Sequence, residues 1–102
     1  MSLKVVFTED AQLDIRKAAF WYESQSLGLG KQFIASVRLA IKSIRHTPNG
    51  FAVRFEIFRA IPLNKFPYLL YYQHDEKAGI IAIMAVLHTH SHPTNFQNRV
   101  TD

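Results

Sequence analysis

The chain contains no cysteine. That excludes a disulfide staple and a thiolate metal site, and it fits a reducing compartment. No stretch has the length or the flanks of a membrane span or a signal peptide. No segment repeats, and none is of low complexity. Acidic side chains are scarce where basic ones gather: residues 31–72 hold seven basic groups and one acidic. Residues 1–30 hold three basic and four acidic groups, and residues 73–102 hold two and three. The net charge of +4 therefore divides into +6 in the middle and −1 on each flank. Such a region suits an acidic partner, whether a protein segment or a nucleic acid. It is equally the pattern of a solvated helix face. With 48% hydrophobic and 20% charged residues the composition is globular. A length of 102 residues suits a single domain, 1–102, with one core.

Periodicity supplies the elements. Leu3 to Phe7 is short, apolar and β-branched and reads as a strand. Thr8 followed by Glu9 and Asp10 is a helix N-cap with acids at the positive end of the dipole. Ala11, Ile15, Ala18, Ala19 and Tyr22 then form one apolar stripe. The segment from Ser24 to Gly30 turns the chain, and a second stripe follows in Phe33, Val37, Ala40, Ile41 and Ile44. Its opposite face carries Lys31, Arg38, Lys42 and Arg45, and Pro48-Asn49-Gly50 ends it. Two helices joined by a short turn form an antiparallel hairpin.

From Phe51 the period changes to two, with Phe51, Val53, Phe55 and Ile57 on one side and Arg54 and Glu56 on the other. Pro62 and Asn64 mark a connection, Tyr68 to Tyr72 is a strand, and His74 to Gly79 is a hairpin loop. Tyr71 and Tyr72 must face opposite ways, one under the helices and one on the open side. Ile80 to His88 is apolar on both faces and belongs inside the sheet. The tail from Pro93 to Asp102 forms one turn or stays loose. The expected architecture is α+β in two layers: an N-terminal strand, an antiparallel helical hairpin, then a three-stranded antiparallel meander.

The buried strand runs into His88-Thr89-His90-Ser91-His92-Pro93, which holds three of the five histidines. On a continuing strand these rings would share a face and suit zinc. Pro93 stops the strand, however, and no acid stands nearby to orient a ligand. No metal is expected. His88 admits two roles, a buried imidazole hydrogen-bonded at the sheet edge or a catalytic group. His90 and His92 are expected to be exposed. Phe20, Trp21 and Tyr22 lie at core spacing on a helix and are expected to pack under the sheet.

Trp21-Tyr22-Glu23, Gly28-Leu29-Gly30 with Phe33, Pro48, Arg59, Lys65-Phe66-Pro67-Tyr68 with Tyr71, His88, Pro93 and Arg99 follow one another in order along nearly the whole chain. This succession resembles the RelE/ParE superfamily of bacterial toxins, in particular the ParE-like branch called plasmid stabilisation proteins. The resemblance implies a cytoplasmic toxin, without a cofactor and not at a membrane, neutralised by an acidic antitoxin that wraps around it. ParE-like members inhibit DNA gyrase by binding. RelE-like members cleave messenger RNA on the ribosome.

RNA cleavage needs a base, an acid and cations for the phosphate. RelE-like nucleases usually carry an arginine after the first aromatic residue of the third strand, where this chain reads Tyr68-Leu69-Leu70-Tyr71. Leucine cannot stabilise a phosphorane, so the balance favours a binding toxin. If the chain is a nuclease, the candidates are His88, Arg59, Lys65 and His90. For target or partner binding the candidates are Arg54, Arg59, Lys65, Tyr72, His88, His90, His92 and Arg99. Arg59 suits a phosphate or carboxylate clamp, or a surface pair with Glu56. ParE-like sequences typically read His-x-x-Arg-Asp/Asn-Pro at the strand end, where this chain has Ser91 and His92. A fixed cation is replaced there by a neutral hydroxyl.

Overall fold

Thr8 starts the first helix as its composition predicts. Its hydroxyl accepts the Ala11 N–H at 3.0 Å and donates to the Met84 carbonyl at 3.3 Å, tying the cap to the sheet. A computed structural model describes residues 3–101; Met1, Ser2 and the final residue of the tail, Asp102, lie outside them. The elements are β1 (Lys4–Phe7), α1 (Glu9–Gln25), α2 (Leu29–His46), β2 (Val53–Phe55), β3 (Phe58–Pro62), β4 (Tyr68–Asp75), β5 (Ile80–His88) and α3 (Pro93–Val100). The sheet runs β1-β5-β4-β3-β2, with β1 parallel to β5 and every other pair antiparallel.

The helical hairpin and the interior position of β5 are as the sequence implies. The hairpin closes tightly because Gly28 takes φ +88° and Gly30 presses on α1. A Cβ at Gly30 would stand 2.7 Å from the Ala19 carbonyl oxygen, closer than such atoms approach. Glu23 secures this turn. Its carboxylate accepts the Gly28 and Gly30 N–H groups at 3.0 Å each, taking orphan donors at the start of α2. These bonds hold the Glu23 carboxyl below its ordinary value of 4.5, with Gly28 the larger cause.

Between the helices and the sheet lies the core, with Phe33, Ile44, Leu70, Tyr72, Ile81 and Ile83 fully buried. Tyr22, Phe33, Phe66 and Tyr68 add an aromatic cluster of edge and stacked contacts. Leu70 and Tyr72 enter this core while Tyr71 points the other way, as alternation requires.

Three expectations need correction. The run from Phe51 to Ile57 is not one strand. A two-residue turn at Glu56 and Ile57 splits it into β2 and the start of a β2–β3 hairpin, so four strands follow the helices rather than three. Glu56 takes φ +55° in that turn, and Ile57 stands exposed at its tip. Next, β4 continues through His74 to Asp75, so the β4–β5 loop is shorter than predicted. Finally, the tail is neither one turn nor loose. It forms α3, whose Phe96 is buried against the second sheet face, stacked on Tyr71 at 4.1 Å and edge-on to Phe58 at 5.3 Å. The face expected to be open is partly covered.

Candidate functional site

The strand-end histidines sit in a loop braced by backbone. The Thr89 N–H donates to the Pro67 carbonyl at 2.8 Å, and the Ser91 N–H donates to the His88 carbonyl at 2.9 Å. His88 is exposed rather than buried, which corrects one of its two expected roles. Its ring meets Tyr68 and His90 edge-on at 5.3 and 5.2 Å. The His90 N–H donates to His88 Nδ1 at 3.0 Å, so that nitrogen is bare and the neutral ring carries its proton on Nε2. His90 and His92 are exposed as expected. The ring of His92 turns to α3, where Nδ1 accepts the Thr94 N–H at 3.2 Å as the helix N-cap.

Between this loop and α1 lies a cleft of about 340 Å³ walled by Lys17, Trp21, Tyr68, His88 and Ser91. Trp21 is 56% exposed and Phe20 78%, so of the three aromatics expected under the sheet only Tyr22 packs there. Lys17 was not foreseen. It supplies the fixed cation of a cleft in which Ser91 holds only a hydroxyl, and that hydroxyl accepts from Asn95 at 2.7 Å. Burial raises the Tyr68 hydroxyl above its ordinary value, and the Tyr22 hydroxyl raises it further, so at neutral pH it is a hydrogen-bond donor rather than a base.

The other candidates do not converge on His88. Arg59 pairs with Tyr72 on β4 while His88 pairs with Tyr68, four residues along that strand and roughly 13 Å away. Its guanidinium donates to the Asn49 and Phe51 carbonyls at 3.2 and 2.7 Å, bracing the loop after α2 rather than pairing with Glu56. Tyr72 is fully buried and donates to the Pro48 carbonyl at 2.6 Å, which removes it from any contact surface. Arg99 is partly exposed and held by Asp14 at 2.6 Å. Lys65 is exposed with φ +73°, in a separate cleft against Gln32 and Leu39 of α2. Arg54 is exposed on β2, the outer strand of the sheet.

A second surface lies on the outside of the helical hairpin. Phe7, Ile15, Ile34 and Ile41 floor a groove of about 300 Å³, rimmed by Arg16 and Arg38. It continues past Ile34 and Arg38 into a cleft of about 580 Å³ lined by Phe20 and Lys31. Among the described residues the one carboxylate lining that cleft, Glu23, is engaged by the hairpin turn. Apolar stripes were predicted for both helices, but as core; that they also leave an outward groove depends on how the helices cross. Among the described residues no cluster of side chains suits a metal ion, and no helix is long and apolar enough to cross a membrane.

Residues 5–93 match the family described as the ParE toxin of the type II toxin–antitoxin system parDE. No curated protein matches the chain at a significant level. Among solved structures, the chromosomal ParDE toxin–antitoxin system of P. aeruginosa aligns with a TM-score of 0.70 at 15% identity, over 85% of this chain and 96% of that one. An arginine-to-alanine mutant of the E. coli toxin RelE in the free state aligns at 0.69 and 16% identity, over 99% and 100% of the two chains. The intact E. coli RelBE toxin–antitoxin complex aligns at 0.63 and 17%, over 85% and 96%. At such identities these likenesses speak for the fold.

Proposed function

Since the chain belongs to the ParE toxin family of type II toxin–antitoxin systems, we propose that it arrests growth by binding its target, with DNA gyrase the target its family resemblance implies. An acidic antitoxin neutralises it by laying an amphipathic segment along the groove of the helical hairpin. The observation that carries the binding reading is the dispersal of the candidate cations. Arg59 is committed to backbone carbonyls, Arg99 to Asp14, and Leu69 stands where a nuclease would hold an arginine. Hence, among the described residues, no group of cations gathers around His88 to hold a scissile phosphate. The antitoxin reading rests on an apolar floor between Arg16, Lys31 and Arg38, which complements an acidic helix. The ParDE and RelBE structures that resemble this chain are themselves toxin–antitoxin assemblies.

A ribosome-dependent endoribonuclease is the second reading, favoured by the contact of His88 with His90 beside Lys17. Controlled expression separates the two. Filamentous cells with blocked supercoiling are expected. Immediate translation arrest with cleaved messages would establish the nuclease instead, and unimpaired growth at full expression would leave only a decayed toxin that retains antitoxin binding. The double variant Arg16→Glu/Arg38→Glu is expected to remain toxic while its rescue by the antitoxin weakens at least tenfold, read by titrating antitoxin against growth. Undiminished rescue would move the antitoxin off this groove.

A further inference from the structure

Strand β5 outruns its neighbour. β1 ends at Phe7, opposite Ile83, while β5 continues to His88. Backbone groups of a strand alternate from one edge to the other. The Val86 N–H goes to Asp14 at 2.9 Å, on the side that β1 has vacated. The Val86 carbonyl and both backbone groups of His88 therefore point that way too. The Thr89 N–H confirms the phase, since it reaches the opposite way to the Pro67 carbonyl beside β4. Of these edge groups, the Val86 N–H is taken by Asp14 and the His88 carbonyl by the Ser91 N–H. Among the described residues the Val86 carbonyl and the His88 N–H have no partner. Val86, Leu87 and His88 line the cleft of about 340 Å³ beside α1.

A strand edge with an acceptor and a donor left over is a place for another strand. The two free groups also set its direction. In a parallel pairing a single residue, laid opposite Leu87, donates to the Val86 carbonyl and accepts from the His88 N–H. An antiparallel neighbour would call on the Val86 N–H and the His88 carbonyl as well, and both are taken. The parallel arrangement continues that of β1 with β5. A phosphate chain fits less well, because it offers no donor to the Val86 carbonyl and finds one lysine where it needs several.

The walls of the cleft select the side chains. Val86 belongs to the core under the helices, so His88, two residues on, faces the same way. A residue laid opposite His88 then turns its side chain toward α1. There stand Trp21, 56% exposed, and Lys17, which is exposed and makes no ion pair among the described residues. Ser91 Oγ accepts from Asn95 and keeps its hydrogen to donate. Asp14 repels little, because Arg99 neutralises it. This corner fits a carboxylate whose stem lies on the Trp21 ring. On the reading that the chain arrests growth by binding, we infer that the cleft seats an extended acidic segment of the protein target, added to the free edge of β5 as a short parallel strand. Lys17 lines this cleft and Arg16 the antitoxin groove, so the two partners take different flanks of α1. The flanks meet at Phe20 and Trp21, which puts a bound antitoxin beside the cleft that the target needs.

Controlled expression tests this, read as the level of the full chain that halves the growth rate, with antitoxin affinity and Tm measured on each purified variant. Lys17→Glu should need about tenfold more protein than the unaltered chain, while Lys17→Arg stays within about twofold. His88→Pro removes the edge N–H together with the ring, and His88→Ala removes the ring alone. The proline variant should therefore be the weaker of the two by about fivefold. All four should keep the antitoxin affinity of the unaltered chain. If His88→Pro melts early, Lys17→Glu against Lys17→Arg decides, since that side chain is exposed. Growth arrest that is equally potent in Lys17→Glu, or in two stable His88 variants, would overturn the inference and leave the growth-arrest reading standing. Potency lost in Lys17→Glu from a chain that arrests growth by cleaving messages would give the cleft to RNA and overturn it as well. Unimpaired growth with the unaltered chain would remove the growth-arrest reading and this inference together.

Discussion

Arg99 reaches back from α3 to Asp14 with hydrogen bonds of 2.6 and 3.1 Å, and Asp14 also accepts the Val86 N–H at 2.9 Å. That amide is free because β1 ends at Phe7, opposite Ile83, so β5 runs on without a neighbour on that side. Asp14 thus satisfies a strand donor and anchors a helix at once, and its hydrogen bonds raise the Arg99 guanidinium above its ordinary value. Arg99→Ala leaves a largely covered carboxylate without its cation. We expect a loss of about 2 kcal/mol and a fall in Tm of roughly 10 °C by calorimetry, with Arg99→Lys recovering only part. An unchanged Tm would show the pair to be inert. Arg99 was visible in the sequence as a family residue, but its role was not, because its partner lies 85 positions away. Tyr72 and Arg59 are engaged by carbonyls of the loop that follows α2, contacts that neither period nor motif reveals.

At the scale of elements, the helical hairpin was legible because capping, stripe and turn agree along one stretch of chain. Glu23 and Gly30 were quoted as motif residues, and the structure supplies their physical purpose in the tight α1–α2 turn. The β2–β3 hairpin was not legible. Alternation from Phe51 continues through the turn, and no Gly or Asn marks the position where φ becomes positive. Glu56 carries that conformation with a side chain poorly suited to it. Glu56→Gly should therefore stabilise the fold by up to about 1 kcal/mol, raising Tm by a few degrees. A lower Tm would mean that the entropy of glycine outweighs the relief. The third helix escaped the sequence reading because eight residues with one buried ring make a weak periodic signal. Phe96 becomes decisive only once Tyr71 and Phe58 are side by side on the sheet.

Over the whole molecule, the α1–α2 turn supplies an acid-sensitive bond. Glu23 acts in the carboxylate range. Because the Glu23 carboxyl is held below 4.5 in the fold, its contribution is present above that value and lost as pH falls through and beneath it. Glu23→Ala should therefore melt below the unaltered chain at neutral pH, with the difference closing in acid; a gap that persists unchanged would assign it to helix propensity instead. Fold class, helix pairing and the interior strand could be read from the sequence, because period, caps and turn residues act between near neighbours in the chain; the toxin family entered as a resemblance in the succession of motif residues. Only the tertiary structure decided which cations stay free, which aromatics face outward, and that the helical hairpin carries a cationic-rimmed groove. Those outcomes depend on how elements distant in sequence cross and which carbonyls and carboxylates they bring within hydrogen-bonding reach.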